Sequence, residues 1–258
     1  MTVKDIYQRI DRDVPFACAE NWDNCGILAG DPNAEVTKAL LALDITSPVI
    51  DEANAIGAEL IISHHPVIFD PLRSVGRNST VGKLLRYGIS AICTHTPFDM
   101  SPCGMNKGLY DLLSGPLGLC PMDKSLPLED MGNGMCIGRI YDLNAPLEPK
   151  DMAVRLKAAL GCTVVRYTGG GYIRRAAISS GAGSSMVNDA IAGGYALITG
   201  DLRHNNFVDA INAGISVFDC GHYHTEIIFT RLMRDLLHDT GILLYTAENS
   251  TDPVSYII

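Results

Sequence analysis

The 258-residue chain has no C-x-x-C pair among its eight cysteines and only 20 Lys and Arg against 29 Asp and Glu. It also lacks any apolar run near the roughly 18 residues that a membrane helix needs. The scattered cysteines, at 18, 25, 93, 103, 120, 136, 162 and 220, exclude a zinc ribbon and read as reduced, mostly buried thiols. A net charge of -9 argues against a duplex nucleic-acid binder, which needs clustered basic residues. The opening MTVKDIYQRIDRDVP lacks the apolar core of a secretory signal, so a cytoplasmic, reducing location is expected, with no membrane partner. No repeat or low-complexity tract is visible.

What is present is globular: 47% hydrophobic and 19% charged residues. Strand-like and helix-like runs alternate, which predicts an α/β fold with substantial parallel pairing. TKALLALDI (37–45), AELIIS (58–63) and ISAICT (89–94) read as buried strands. Between the first two, SPVIDEANAIGA reads as a helix with Ser47 as N-cap, Pro48 in the first turn and Gly57 as the stop. From Ser114 to Asp130 the chain turns loop-like, with three prolines and two glycines, and offers an internal boundary. Strand, helix, strand and strand follow in MCIGRIYDL, PLEPKDMAVRLKAALG, CTVVRYT and AAISS. The last third reads as YALITGD (strand), RHNNFVDAINAG (helix), ISVFDCG (strand), a long amphipathic helix over 222–238 and a final strand ILLYTAE. The expected division is a domain of 1–125 plus 200–258, with a smaller α/β lobe inserted at 126–199.

Six of the seven histidines, at 64, 65, 95, 204, 222 and 224, lie at or just past predicted strand ends. In open α/β sheets ligands bind at that edge. One such histidine is about as often a satisfied structural residue; six together point to a site. In ISHHPVIF, His64 and His65 diverge where the strand ends and Pro66 forces the chain out of pairing, so each can hold a different ion. In GHYHTE, His222 and Glu226 are i and i+4 on one face of a helix start, where a carboxylate chelates or bridges, or simply forms a helix-end ion pair. THTPFD adds Asp99 as a hard ligand and His95 as ligand or orienting partner. Three histidines and two carboxylates suit two ions sharing a bridging group, about 3.5–4 Å apart, that activate water for hydrolysis. Glu226 and His95 are the candidate catalytic groups. SSGAGSSM (179–186) reads as a tight strand-to-helix turn or, lacking a P-loop lysine, a weak phosphate cradle. ENWDNCGILAG holds the only tryptophan, as a buried residue beside a turn or in a pocket-lining loop.

In order, ENWDNCGIL, SHHPVIF, THTPFDM, TGDLRHN and DCGHYHTE, from Glu20 to Glu226, resemble the NIF-three-like family. Its bacterial members include the YbgI type and are often called GTP cyclohydrolase I type 2 homologues. The resemblance implies a two-lobed fold of mixed and parallel sheets flanked by helices, a dinuclear metal centre, and a homohexameric ring. It places the metal ligands at His64, His65, Asp99, His222 and Glu226, with Glu226 bridging and His95 and His204 lining the site. Pro97-Phe98 departs from the family, which more often carries Asn-Leu, and is expected to alter packing more than ligation.

The function expected is a dinuclear metal-dependent hydrolase, cyclohydrolase-like or phosphoesterase-like, acting on a small polar or nucleotide-like substrate. The other class is a non-catalytic metal-handling or regulatory interaction protein. An open coordination position reached from a pocket separates them. Two divalent ions per chain are expected, and mixed imidazole and carboxylate ligands accept zinc, iron, manganese or nickel.

Overall fold

A computed structural model describes residues 1–257, which divide into two compact units. The first comprises Met1–Cys103 and Phe229–Thr251; the second comprises Gly104–Ile228 and the described residues from Asp252 onward. Both are sheets flanked by helices, as the alternating pattern predicts.

The first unit is built on a five-stranded sheet in the order Gly26–Ala29, Ser90–Cys93, Leu60–Ser63, Lys38–Ala42 and Leu243–Thr246. Its first pair is antiparallel and the rest are parallel. Every residue of Leu60–Ser63 and Ser90–Cys93 is buried, which explains their unbroken rather than alternating apolar runs. Helix Ser47–Ile56 covers one face, packing Val49, Ile50 and Ala53 with Leu40, Ile61 and Ala91. Thr46, not Ser47, is its N-cap, accepting from the Val49 amide. Gly57 ends it with φ +68, a left-handed value that glycine adopts without strain.

The second unit has a six-stranded mixed sheet, ordered Leu126–Gly132, Met135–Leu147, Ile173–Ala182, Ala196–Gly200, Val217–Asp219 and Arg166–Tyr167. The middle three strands are parallel and the outer pairings antiparallel. Helices Met105–Leu117 and Pro149–Leu160 bury Leu109, Leu113, Leu117, Met152 and Leu156 against Tyr141, Ile198 and Phe218.

Three expectations change. The inserted unit begins at Gly104 and ends at Ile228, rather than spanning 126–199. Helix Met105–Leu117 belongs to the second core, and Ala196–Gly200 and Val217–Asp219 pair in the second sheet. His222 and Glu226 thus belong to the second unit. The stretch 114–130, expected as loop, ends that helix and starts the strand Leu126–Gly132; Pro116 is accommodated near the helix end. The single helix expected over 222–238 is two, His222–Glu226 and Phe229–Leu236, and the chain passes between units at the break. Among the described residues no helix is long and apolar enough to cross a membrane.

Candidate metal centre

In the first unit the carboxyl ends of adjacent parallel strands carry the chemistry. Asp44 follows Lys38–Ala42, His64 and His65 follow Leu60–Ser63, and His95 follows Ser90–Cys93. His64, His65 and His95 each offer a ring nitrogen within 4.8 Å of the others. Their centroids are 5.0 to 5.5 Å apart. Asp99, in the helix Thr96–Met100, places Oδ1 3.6 Å from His64 Nε2. Two donors about 2.0–2.2 Å from one ion lie roughly 3–3.6 Å apart, so this spacing suits chelation better than a direct hydrogen bond. His64 is fully buried and its ring lies 5.3 Å from that of Phe229. Phe98 packs edge-on against Phe229, with ring centroids 5.0 Å apart.

Each imidazole is held through the same nitrogen. His64 Nδ1 donates to the Thr94 carbonyl at 3.1 Å, His65 Nδ1 to Asp44 Oδ1 at 2.8 Å and His95 Nδ1 to Asp23 Oδ1 at 2.9 Å. An acceptor on Nδ1 sets the tautomer and leaves the Nε2 lone pair for a cation, the usual arrangement of metal-binding histidines. The Asp23 side chain is buried and also accepts from the Thr96 amide and hydroxyl and from Cys25 Sγ. Burial pushes its carboxyl up, but the bonds from His95, Thr96 and Cys25 outweigh that and hold it well below the usual carboxylate range.

The second unit repeats the device. Asp201 follows strand Ala196–Gly200, His222 follows the neighbouring parallel strand Val217–Asp219, and His222 Nδ1 donates to Asp201 Oδ2 at 2.8 Å. Asp201 adopts φ +54, an unusual value for a non-glycine residue. His222 Nε2 lies 2.8 Å from Glu226 Oε2, one turn along the helix, and Glu226 is only 3% exposed. A carboxylate so buried needs compensating positive charge, which a cation supplies. The glycines of SSGAG and TGD explain how this helix comes so close. Gly181 has φ +59 and a Cβ there would overlap Glu226 Oε1, while one at Gly200 would press on the His222 amide. SSGAGSSM is therefore the strand-to-turn reading: strand Ile173–Ala182, then a single turn Ser184–Met186.

The donor set suits a divalent ion: imidazole Nε2 atoms whose Nδ1 is held in place, and the carboxylates of Asp99 and Glu226. His64, His65, His95 and Asp99 gather in the first unit, and His222 and Glu226 in the second. His204 does not join them: it heads helix His204–Ala213 as an exposed residue, outside every potential ligand group among the described residues. His224 points to Asp252, 3.3 Å away. The orienting aspartates Asp44 and Asp201 were not singled out from the sequence; their signal is an acidic residue ending the strand before each histidine-bearing strand. Trp22 is 57% exposed, so of its two sequence readings the buried one fails.

The family model described as Duf34/NIF3 (NGG1p interacting factor 3) matches residues 1–253. A Clostridium perfringens protein named GTP cyclohydrolase 1 type 2 homolog is 31% identical, over 100% of each chain. The Helicobacter pylori protein named GTP cyclohydrolase 1 type 2 is also 31% identical, over 99% of each. Among solved structures, the Staphylococcus aureus hypothetical protein SA1388 superposes with a TM-score of 0.89 at 27% identity, covering 100% of this chain and 99% of that one. The Bacillus cereus protein related to NIF3, at 20% identity and a TM-score of 0.88 over 100% and 99% of the chains, shows the same fold.

Proposed function

Because this chain belongs to the Duf34/NIF3 family, we propose that it is a dinuclear metal-dependent hydrolase of a small polar or nucleotide-like substrate. His64, His65, Asp99, His222 and Glu226 are the ligands proposed for its two divalent ions. The observation that carries this reading is the anchoring of Nδ1 on His64, His65 and His222, which sets the tautomer that makes Nε2 the donor of each proposed imidazole ligand. The names of the Clostridium and Helicobacter relatives support a ring-opening hydrolysis of a nucleotide-like compound. We also propose a homohexameric assembly and a cytoplasmic setting.

When bound, such an ion pair supplies Lewis acidity to a substrate oxygen and lowers the pKa of water. His95, with Asp23 holding Nδ1–H, accepts a proton at Nε2, and the Asp23 carboxylate stabilises the imidazolium that results. Glu226, buried beside His222, contributes negative charge to the ions and a second place to hold a proton. Asp44 and Asp201 keep His65 and His222 oriented.

Titration of the protein with manganese or zinc is expected to give two ions per chain, and His64→Ala and Glu226→Gln are each expected to lower that number. A screen of phosphoesters, nucleotides and cyclic amides with added metal should yield a turnover that both variants abolish. Turnover surviving both substitutions would falsify the two-ion mechanism.

A further inference from the structure

Trp22 and Phe69 are the exposed aromatics beside the histidine cluster, at 57% and 48% exposure. Their ring centroids are 6.0 Å apart with planes tilted by 40°, and the Trp22 ring meets that of His95 edge to face at 5.9 Å. An exposed indole on a mobile loop would call for no explanation, but this loop is pinned on both sides of Trp22. The Glu20 amide donates to Thr96 Oγ1 at 3.1 Å and the Asp23 amide to the Glu20 carbonyl at 2.9 Å. Asp23 is buried under His95 and Thr96, and Asn24 Nδ2 donates to the Ile68 carbonyl at 2.6 Å, tying the loop to the residue before Phe69. In ENWDN, Glu20, Asp23 and Asn24 thus hold the backbone while the large apolar side chain is left in water.

We propose that Trp22 and Phe69 form a stacking platform that receives the planar heteroaromatic ring of a nucleobase-like ligand next to His95. The proposal rests on the metal-dependent hydrolase reading, with His64 and His65 as ligands and His95 as the proton acceptor, and names the residues that would hold the ring of its substrate. Fixed aromatic faces lose little conformational entropy on binding, and any base presents a π-face to them. A ring stacked on Trp22 lies next to the His95 imidazole, whose centroid is 5.9 Å from that of the indole.

Trp22 is the only tryptophan, so selectively excited tryptophan emission reports on this position alone. With the zinc-loaded protein, guanosine and adenosine are expected to quench that emission saturably, whereas ribose 5-phosphate leaves it unchanged. By equilibrium dialysis, Trp22→Ala is expected to bind guanosine about 5- to 150-fold more weakly, the range set by stacking on one aromatic ring, and Trp22→Phe to recover most of the loss. Phe69→Ala keeps the reporter and is expected to weaken the quenching. Three results each overturn the proposal: no quenching by either nucleoside, equal guanosine affinity in Trp22→Ala, or emission that follows protein concentration alone, which would make the patch a contact between copies of the chain. Zinc titration of the same samples separates the two readings: zinc bound without nucleoside quenching removes the platform and leaves the metal centre standing.

Discussion

At the scale of single residues, the aspartates behind the histidines decide how well the imidazoles serve. The Asp44 side chain is 42% exposed, so its removal leaves the core intact. Asp44→Ala is expected to weaken metal binding about 10- to 100-fold while the melting temperature of the metal-free protein stays nearly constant. Competition against a fluorescent chelator measures this, and an unchanged affinity would show that packing alone orients His65. The histidines were legible because six of seven fall at strand ends; Asp44 and Asp201 were not, since an aspartate after a strand is an ordinary turn residue until its partner is known. Gly181 is similar. In the sequence it is one glycine in a turn motif, and only the proximity of Glu226 gives its missing Cβ a purpose.

At the scale of elements, strand and helix identities were readable where hydrophobic period and caps agreed. Ser47–Ile56 combines a threonine cap, an early proline and a glycine stop, and the chain follows all three. The 222–238 segment keeps helical periodicity throughout, so its break after Glu226 could not be read locally. Ile228 is buried in the second unit and Phe229 in the first, beside His64 and Phe98, and those two burials compete with a continuous helix. The helix Ser47–Ile56 also carries a contact that pH should expose. Burial raises the Glu52 carboxyl, but the amides of Glu248 and Asn249 and the Asn249 side chain donate to it and outweigh burial, lowering its pKa. A carboxyl lowered on folding contributes stability that is complete above its unfolded value of about 4.3 and fades as pH falls through the folded value. Glu52→Gln is therefore expected to cost about 1 kcal/mol at neutral pH, after allowing for partial exposure, and to converge with the wild type in acid. Urea unfolding at several pH values checks it; a constant difference down to low pH would assign the cost to packing.

At the scale of the whole molecule, the proposed ligands are divided between the two units, with His64, His65 and Asp99 in one and His222 and Glu226 in the other. A ligand that binds only the folded state stabilises by mass action, by roughly 2.7 kcal/mol at a hundredfold excess over its dissociation constant. Scanning calorimetry is expected to show a higher melting temperature with zinc, reversed by a chelator. Glu226→Gln is expected to reduce the shift, and a full shift in that variant would remove Glu226 from the ligand set. The net charge of -9 favours cations over polyanions in the same direction.

The sequence by itself determined the α/β class, the family, the histidine motifs and most element types, because these depend on residue type, short-range period and spacing along the chain. Tertiary structure decided which sheet each strand joined, and so moved the unit boundary from 126 and 200 to Gly104 and Ile228. It also decided which aspartate holds which imidazole, and that Trp22 stands in solvent on a pinned loop. Strand partners and hydrogen-bond acceptors are chosen among residues far apart in sequence that present the same local pattern, and packing alone distinguishes them.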